Sequence, residues 1–222
     1  MQPAFGLRPP VASIGSRASP LEPGADTVCV ASGRRGASYG QTPGWDSISR
    51  RRSKLEVLFA ASECVPFSKT GGLADVVGAL PKEIKKSGVD IRVITPLYSA
   101  IPEKWRSKME HLLYFYINLG WRRQYVGIEK LVLNDITYYF VDNEYYFGRS
   151  YIYGLGGDEG ERFAFFDRAV MEALPKIDFV PDIINCHDWQ TGLIPAMLEI
   201  QYRVLKPYQK IKTVFTVHNL QY

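Results

Sequence analysis

Three short polar clusters carry the residue types that could do chemistry. The first, Ser68-Lys69-Thr70-Gly71-Gly72, sets a lysine and two glycines just ahead of a helical pattern. Two glycines entering a helix let a ligand phosphate approach backbone N–H groups, the helix dipole favours negative charge there, and a lysine adds a mobile cation. That suits a diphosphate; the same letters also fit a plain strand-to-helix junction with a surface lysine. Their order matches neither G-x-x-x-x-G-K-[ST] nor G-x-G-x-x-G. Asp75, one turn further on, is placed either to accept a hydrogen bond from a sugar hydroxyl or simply to favour the helix N-terminus.

The other two clusters are His187-Asp188-Trp189-Gln190 and His218-Asn219. A metal reading of the histidines fails, because the chain has three in all and no H-x-x-x-H or H-E-x-x-H spacing. No D-x-D occurs either, so nothing marks a divalent-cation clamp, and charge on a phosphate falls to amides and to Lys or Arg. No cofactor is expected. A loop with Tyr145, Tyr146, Phe147, Arg149, Tyr151 and Tyr153 either offers flat faces to sugar rings or forms a packed lid. Cys29, Cys64 and Cys186 are odd in number with no C-x-x-C pair, which indicates neither a disulfide framework nor a thiolate zinc site. Cys64 and Cys186 read as small buried hydrophobes.

The elements that must position these residues follow from periodicity. Leu55 to Ala61 is a short apolar run of the kind found in strands covered on both faces. After the glycines, Leu73, Val76, Val77, Leu80 and Ile84 recur at helical spacing up to Gly88, with Pro81 expected to kink the helix or start a second segment. Val89 to Thr95 is the next strand. Tyr114 to Asn118, Tyr125 to Leu133 and Ile136 to Val141 follow as strands, with Asn134-Asp135 as a turn. A helix from Glu159 to Pro175, a strand Asp182 to Cys186, a helix Thr191 to Val204 and a strand Lys212 to Val217 complete the pattern. Alternating strands and helices imply a Rossmann-like parallel α/β sheet flanked by helices, whose ligands sit at the carboxyl edge of the strands. All three polar clusters follow strands and so converge on that rim.

Composition limits the rest. With 222 residues, 46% hydrophobic, the chain can bury one sizeable core. No stretch approaches the roughly 18 uninterrupted apolar residues of a spanning helix, so no membrane partner is expected. Residues 1–54 hold eight basic residues against three acids, a net of +5, while the remainder carries 19 against 20, a net of −1. The basicity therefore belongs to a leader and argues against a nucleic-acid-binding face. That leader is rich in Arg, Ser, Gly and Pro, is expected to be unstructured, and has the composition of an organelle transit peptide. An untargeted tail is the alternative.

Lys69-Thr70-Gly71-Gly72-Leu73-Ala74-Asp75-Val76-Val77-Gly78-Ala79-Leu80-Pro81, reached through Ala60-Ala61-Ser62-Glu63-Cys64-Val65-Pro66-Phe67, closely resembles the opening of glycogen and starch synthases. The likeness spans residues 55–222 and includes Arg162-Phe163, Pro181-Asp182-Ile183-Ile184, the His187 cluster and Val217-His218-Asn219. It implies a retaining glycosyltransferase that moves glucose from ADP-glucose to the non-reducing end of an α-1,4-glucan (starch or glycogen), without a metal, in a cleft between two Rossmann-like domains. Residues 55–222 would be the N-terminal catalytic domain. The resemblance implies His218 and Asp188 as catalytic residues, Lys69, Gly71 and Gly72 at the nucleotide-sugar phosphates, Asp75 as a donor contact, and Tyr153 and Asn219 beside the glucosyl or acceptor position. It implies a plastid (chloroplast or amyloplast) location if the leader is a transit peptide, and otherwise the bacterial cytoplasm. The sequence stops at Tyr222, immediately after the His218 motif, so these residues are expected to be inactive alone. A non-catalytic glucan-binding or synthase-associating module is the rival reading. A dinucleotide-dependent oxidoreductase is disfavoured by the missing fingerprint glycines.

Overall fold

A computed structural model describes residues 54–154, 156–177 and 179–219. All but the last residue of the expected leader lies outside that range. The elements are β1 (Glu56–Ala60), α1 (Gly72–Lys86), β2 (Asp90–Pro96), α2 (Glu103–Arg106), β3 (Glu110–Leu119), β4 (Arg122–Leu133), β5 (Ile136–Asp142), α3 (Glu144–Phe147), α4 (Glu159–Ala173), β6 (Ile183–His187), α5 (Leu193–Met197) and β7 (Lys212–Thr216).

The strands form one seven-stranded sheet in the order β3-β4-β5-β2-β1-β6-β7. β5, β2, β1, β6 and β7 run parallel, as the alternating pattern predicts. β4 is antiparallel to both β3 and β5, so the sheet is mixed where a parallel one was expected. The cause is local: between β4 and β5 Asn134 and Asp135 both take positive φ, at 50° and 61°, the conformation a tight two-residue hairpin turn demands, and the two residues joining β3 to β4 include Gly120 at φ 60°. The central strands are buried on both faces, as near-continuous apolar runs such as Val93-Ile94 and Tyr138 to Val141 require.

Of the two alternatives for Pro81, a kink or a new segment, the new segment is not found, and a later helix is divided. α1 passes through Pro81 as one segment, with Pro81 itself buried. Its core stripe is Leu73, Ala74, Val77, Gly78 and Pro81, while Val76 and Leu80 are exposed at 36% and 39%. The expected helix from Thr191 to Val204 is divided into a 3₁₀ turn at Trp189–Thr191, α5, and a π turn at Leu198–Tyr202. A buried carboxylate fixes where α5 starts: Asp167 Oδ2 of α4 accepts from the Leu193 N–H at 2.9 Å, so the helix opens there.

Packing ties the site's first element to the sheet. The loop after β1 lies against α1, with the Val65 N–H donating to the Ala74 carbonyl at 3.1 Å. A Cβ added at Gly78 would meet the Val65 carbonyl oxygen at 2.7 Å, so glycine is needed there for close approach. Phe67 in the same loop packs edge-on against Trp105, Tyr138 and Phe140.

Candidate functional site

At the carboxyl edge of the parallel strands a cleft of about 490 Å³ opens between the glycine turn and the ends of β6 and β7. One wall is Thr70, Gly71, Gly72, Leu73 and Val76 from the start of α1; the other is Asp188, Gln190, His218 and Asn219, with Glu63 and Tyr153 also lining it. Six of the eight sequence-derived site residues therefore share one cavity: Gly71, Gly72, Tyr153, Asp188, His218 and Asn219.

Lys69 and Asp75 are the other two, and neither lines the cleft. The Lys69 ammonium bonds both Asp75 carboxylate oxygens at 2.7 Å, and both side chains are more than half exposed. Among the described residues, the charged groups of the lining are thus the carboxylates of Glu63 and Asp188, with His218 as the only basic side chain and no Lys or Arg.

The glycine turn is shaped by a group that sequence reasoning missed. Glu63, 3% exposed, accepts from the Thr70 N–H at 2.5 Å and the Thr70 hydroxyl at 2.9 Å through one oxygen, Oε2. An acid three residues beyond a buried strand was the available signal; its partner seven residues on was not visible. Gln190 was legible as part of its cluster yet not singled out; it is buried in the lining. Gly71 has extended backbone, φ −144°, and a Cβ on Gly72 would meet no atom within 4 Å. Neither conformation nor packing within the described residues demands glycine at 72, in contrast to Gly78. The room it leaves belongs to the cleft.

On the opposite wall, Asp188 adopts φ 59°, ψ −178°, a region nearly reserved for glycine and costing about 1–3 kcal/mol. Its surroundings enforce it: the Asp188 N–H donates to the Thr216 carbonyl at 2.9 Å, and its own carbonyl accepts from the Thr191 N–H at 3.1 Å. The conformation lets Asp188 Oδ1 accept from the His218 N–H at 2.6 Å, which fixes the second residue after β7. Behind them His187, fully buried, hydrogen-bonds through Nδ1 to His218 Nε2 at 2.8 Å. Burial, then the neighbouring His218, push the His187 pKa down to about 3, against a smaller opposing pull from Asp188.

Tyr153 reaches the cleft from the loop after α3, and its hydroxyl shares a 2.6 Å hydrogen bond with the Ser62 hydroxyl. The rest of that aromatic loop is mainly packing. Tyr146 and Phe147 are fully buried against Phe165, and Arg149 pairs with Asp158. Arg162, fully buried, holds the loop from below, donating to the Tyr146 and Ile152 carbonyls and to Glu159. Among the described residues no cluster of His, Cys, Asp or Glu could hold a metal ion, and no helix is long and apolar enough to cross a membrane.

A glycine turn, a strained acid and a histidine converging at the carboxyl edge of such a sheet could hold a phosphorylated sugar, and comparison with known proteins narrows the class. The model of the starch synthase catalytic domain matches residues 56–222. Over 168 residues the chain is 58% identical to glycogen synthases of Anoxybacillus flavithermus and Desulforamulus reducens, covering 76% of this chain and 34% and 35% of theirs. A glycogen synthase of Streptococcus pneumoniae is 51% identical over the same length. The catalytic domain of starch synthase IV from Arabidopsis thaliana, bound to ADP and acarbose, superposes with a TM-score of 0.68 at 29% identity, covering 75% of this chain and 34% of that one. The fold is that of a glycosyltransferase with Rossmann-like architecture. Within that class, the chain belongs to the glycogen and starch synthase family. It spans about a third of the length of the relatives it matches.

Proposed function

We propose that this chain supplies the N-terminal half of a cleft in which glucose passes from ADP-glucose to the non-reducing end of an α-1,4-glucan with retention of configuration. The observation that carries the proposal is Gly72: its missing side chain serves neither backbone nor packing, and it faces His218 and Asp188 across one cavity. The Gly71 and Gly72 amides at the start of α1 would meet the diphosphate, and Lys69 would leave Asp75 to add its charge. His218, Asn219 and Tyr153 would contact the glucosyl unit. Breaking the anomeric bond creates oxocarbenium character and a departing ADP; Asp188 and Glu63 favour the former, amide dipoles the latter.

The lining also says what else is needed. Two carboxylates and no Lys or Arg line the cleft among the described residues, and Lys69 alone would not balance a diphosphate, so further cations are expected from a second domain facing this wall. The 222 residues alone are accordingly expected to transfer no glucose, and the same chain joined to the remaining part of a relative to do so. Incubation of both proteins with ADP-glucose, and separately UDP-glucose, and glycogen tests this. Glucose transfer by the 222 residues alone would refute the two-wall account, and glycogen retention without transfer by the joined protein would favour the glucan-binding module. The bacterial glycogen synthases among the relatives favour a bacterial cytoplasmic enzyme over a plastid one.

A further inference from the structure

His187 does not line the cleft, yet its side chain engages the imidazole of His218, which does. The two ring planes lie 18° apart with centroids separated by 5.1 Å, and Nδ1 of His187 meets Nε2 of His218 at 2.8 Å, an in-plane N–H···N geometry. Phe59 of β1 packs on the His187 ring at 4.7 Å and restricts its rotation. Only one of the two facing nitrogens can carry the proton of that bond. If it sat on His218 Nε2, the neutral His187 would carry its own proton on Nε2, a buried nitrogen without a partner among the described residues. An orphaned buried donor is the rarer and costlier state, so the proton belongs on His187 Nδ1.

We infer that His187 is a positioning residue that fixes the tautomer of His218, leaving its Nδ1 protonated and presented to the cleft as a hydrogen-bond donor. The bond made by one ring nitrogen sets the state of the other, and here Nε2 of His218 faces Nδ1 of His187 at 2.8 Å, so a proton on His187 Nδ1 makes it the acceptor. The low basicity of His187 keeps it from becoming an imidazolium that would abolish the choice. His218 then offers a donor, never an acceptor, to whatever oxygen enters. The value of that donor for sugar transfer rests on the function proposed above, whereas the tautomer itself does not.

Imidazole nitrogen NMR on the isotope-labelled 222-residue chain, with three histidines to assign, reads the tautomer without any substrate. The expected spectrum has His218 protonated at Nδ1 and bare at Nε2 near neutral pH. His187→Phe, which keeps a ring against Phe59 but removes the donor, should return His218 to the Nε2-protonated form common in water. His187→Asn, whose amide can stand in for Nδ1–H, should restore the Nδ1 form. A His218 ring protonated at Nε2 in the unsubstituted chain overturns the inference, as does a tautomer that His187→Phe leaves unchanged. Should the Phe variant not fold, the unsubstituted spectrum and the Asn variant still decide. Failure of this assignment would leave glucosyl transfer unaffected as a reading, and failure of transfer would leave the tautomer standing.

Discussion

Two glycines on the same helix should respond in opposite ways to the same added methyl group. At Gly72 the backbone is not left-handed and a Cβ finds open space, so Gly72→Ala costs the folded state nothing and removes freedom from the unfolded one. The expected gain is about 0.4–1 kcal/mol. At Gly78 the Cβ would lie 2.7 Å from the Val65 carbonyl oxygen and 3.1 Å from Val65 Cβ. Backbone cannot swing aside as a flexible side chain can, and Val65 is tied to Ala74 by a 3.1 Å hydrogen bond, so Gly78→Ala should lose about 1–3 kcal/mol. Urea unfolding of the 222-residue chain, with the slope unchanged between variants, measures both. The functional half of the contrast uses the chain joined to the second domain of a relative. There Gly72→Ala should weaken ADP-glucose binding about tenfold or more, equivalent to about 1.4 kcal/mol, because the methyl would occupy the space proposed above for phosphate. Loss of stability at Gly72 comparable to that at Gly78 would refute the reasoning, as would a stable Gly72→Ala protein that binds ADP-glucose unchanged.

Acid should destabilise the fold through His187: an unfolded histidine takes a proton near 6.5, the buried one only near 3, so stability falls as pH drops through that window. The slope approaches about 1.4 kcal/mol per pH unit and should be absent from His187→Phe, compared by urea unfolding at several pH values. Taking the difference removes the contribution of Asp167, whose carboxyl pKa is raised by burial and whose effect has the opposite sign. Arg162→Ala leaves the Glu159 carboxylate and the Tyr146 and Ile152 carbonyls without their donor, and should cost about 3–5 kcal/mol in the same unfolding assay. Lys69→Ala breaks only an exposed ion pair, so stability should move by less than about 1 kcal/mol while ADP-glucose affinity of the joined protein falls; unchanged affinity by calorimetry would remove Lys69 from the site.

Much of this architecture is legible in local pattern, because the forces that set it are local. The strand, glycine turn and helix from Glu56 to Lys86 announce themselves by apolar period and by the glycines, and Asn134-Asp135 marks its hairpin by backbone preference. What could not be read depends on partners distant in sequence. The opening of α5 is set by Asp167, 26 residues earlier, and no property of the Thr191 to Val204 stretch reveals it. The site divides in the same way. Gly71, Gly72, Asp188 and His218 are placed by the strand ends they follow, so topology alone brings them together. Lys69 has the right type for phosphate, but Asp75 lies within reach of its ammonium and holds it outside the lining. Glu63 and His187 act through Thr70 and His218, contacts that exist only once the chain has folded.

The central claim is that the glycine turn and the ends of β6 and β7 form one half of a nucleotide-sugar site. Backbone amide NMR of the labelled 222-residue chain during titration with ADP-glucose tests it most directly. A single wall binds weakly, so ligand should reach about 10 mM, beyond the roughly 1 mM at which binding is worth about 4 kcal/mol. The account predicts saturable shifts at Thr70, Gly71, Gly72, His218 and Asn219, reduced in Gly72→Ala. Shifts confined to surfaces away from the cleft, or a folded chain whose glycine amides stay silent throughout, would contradict it.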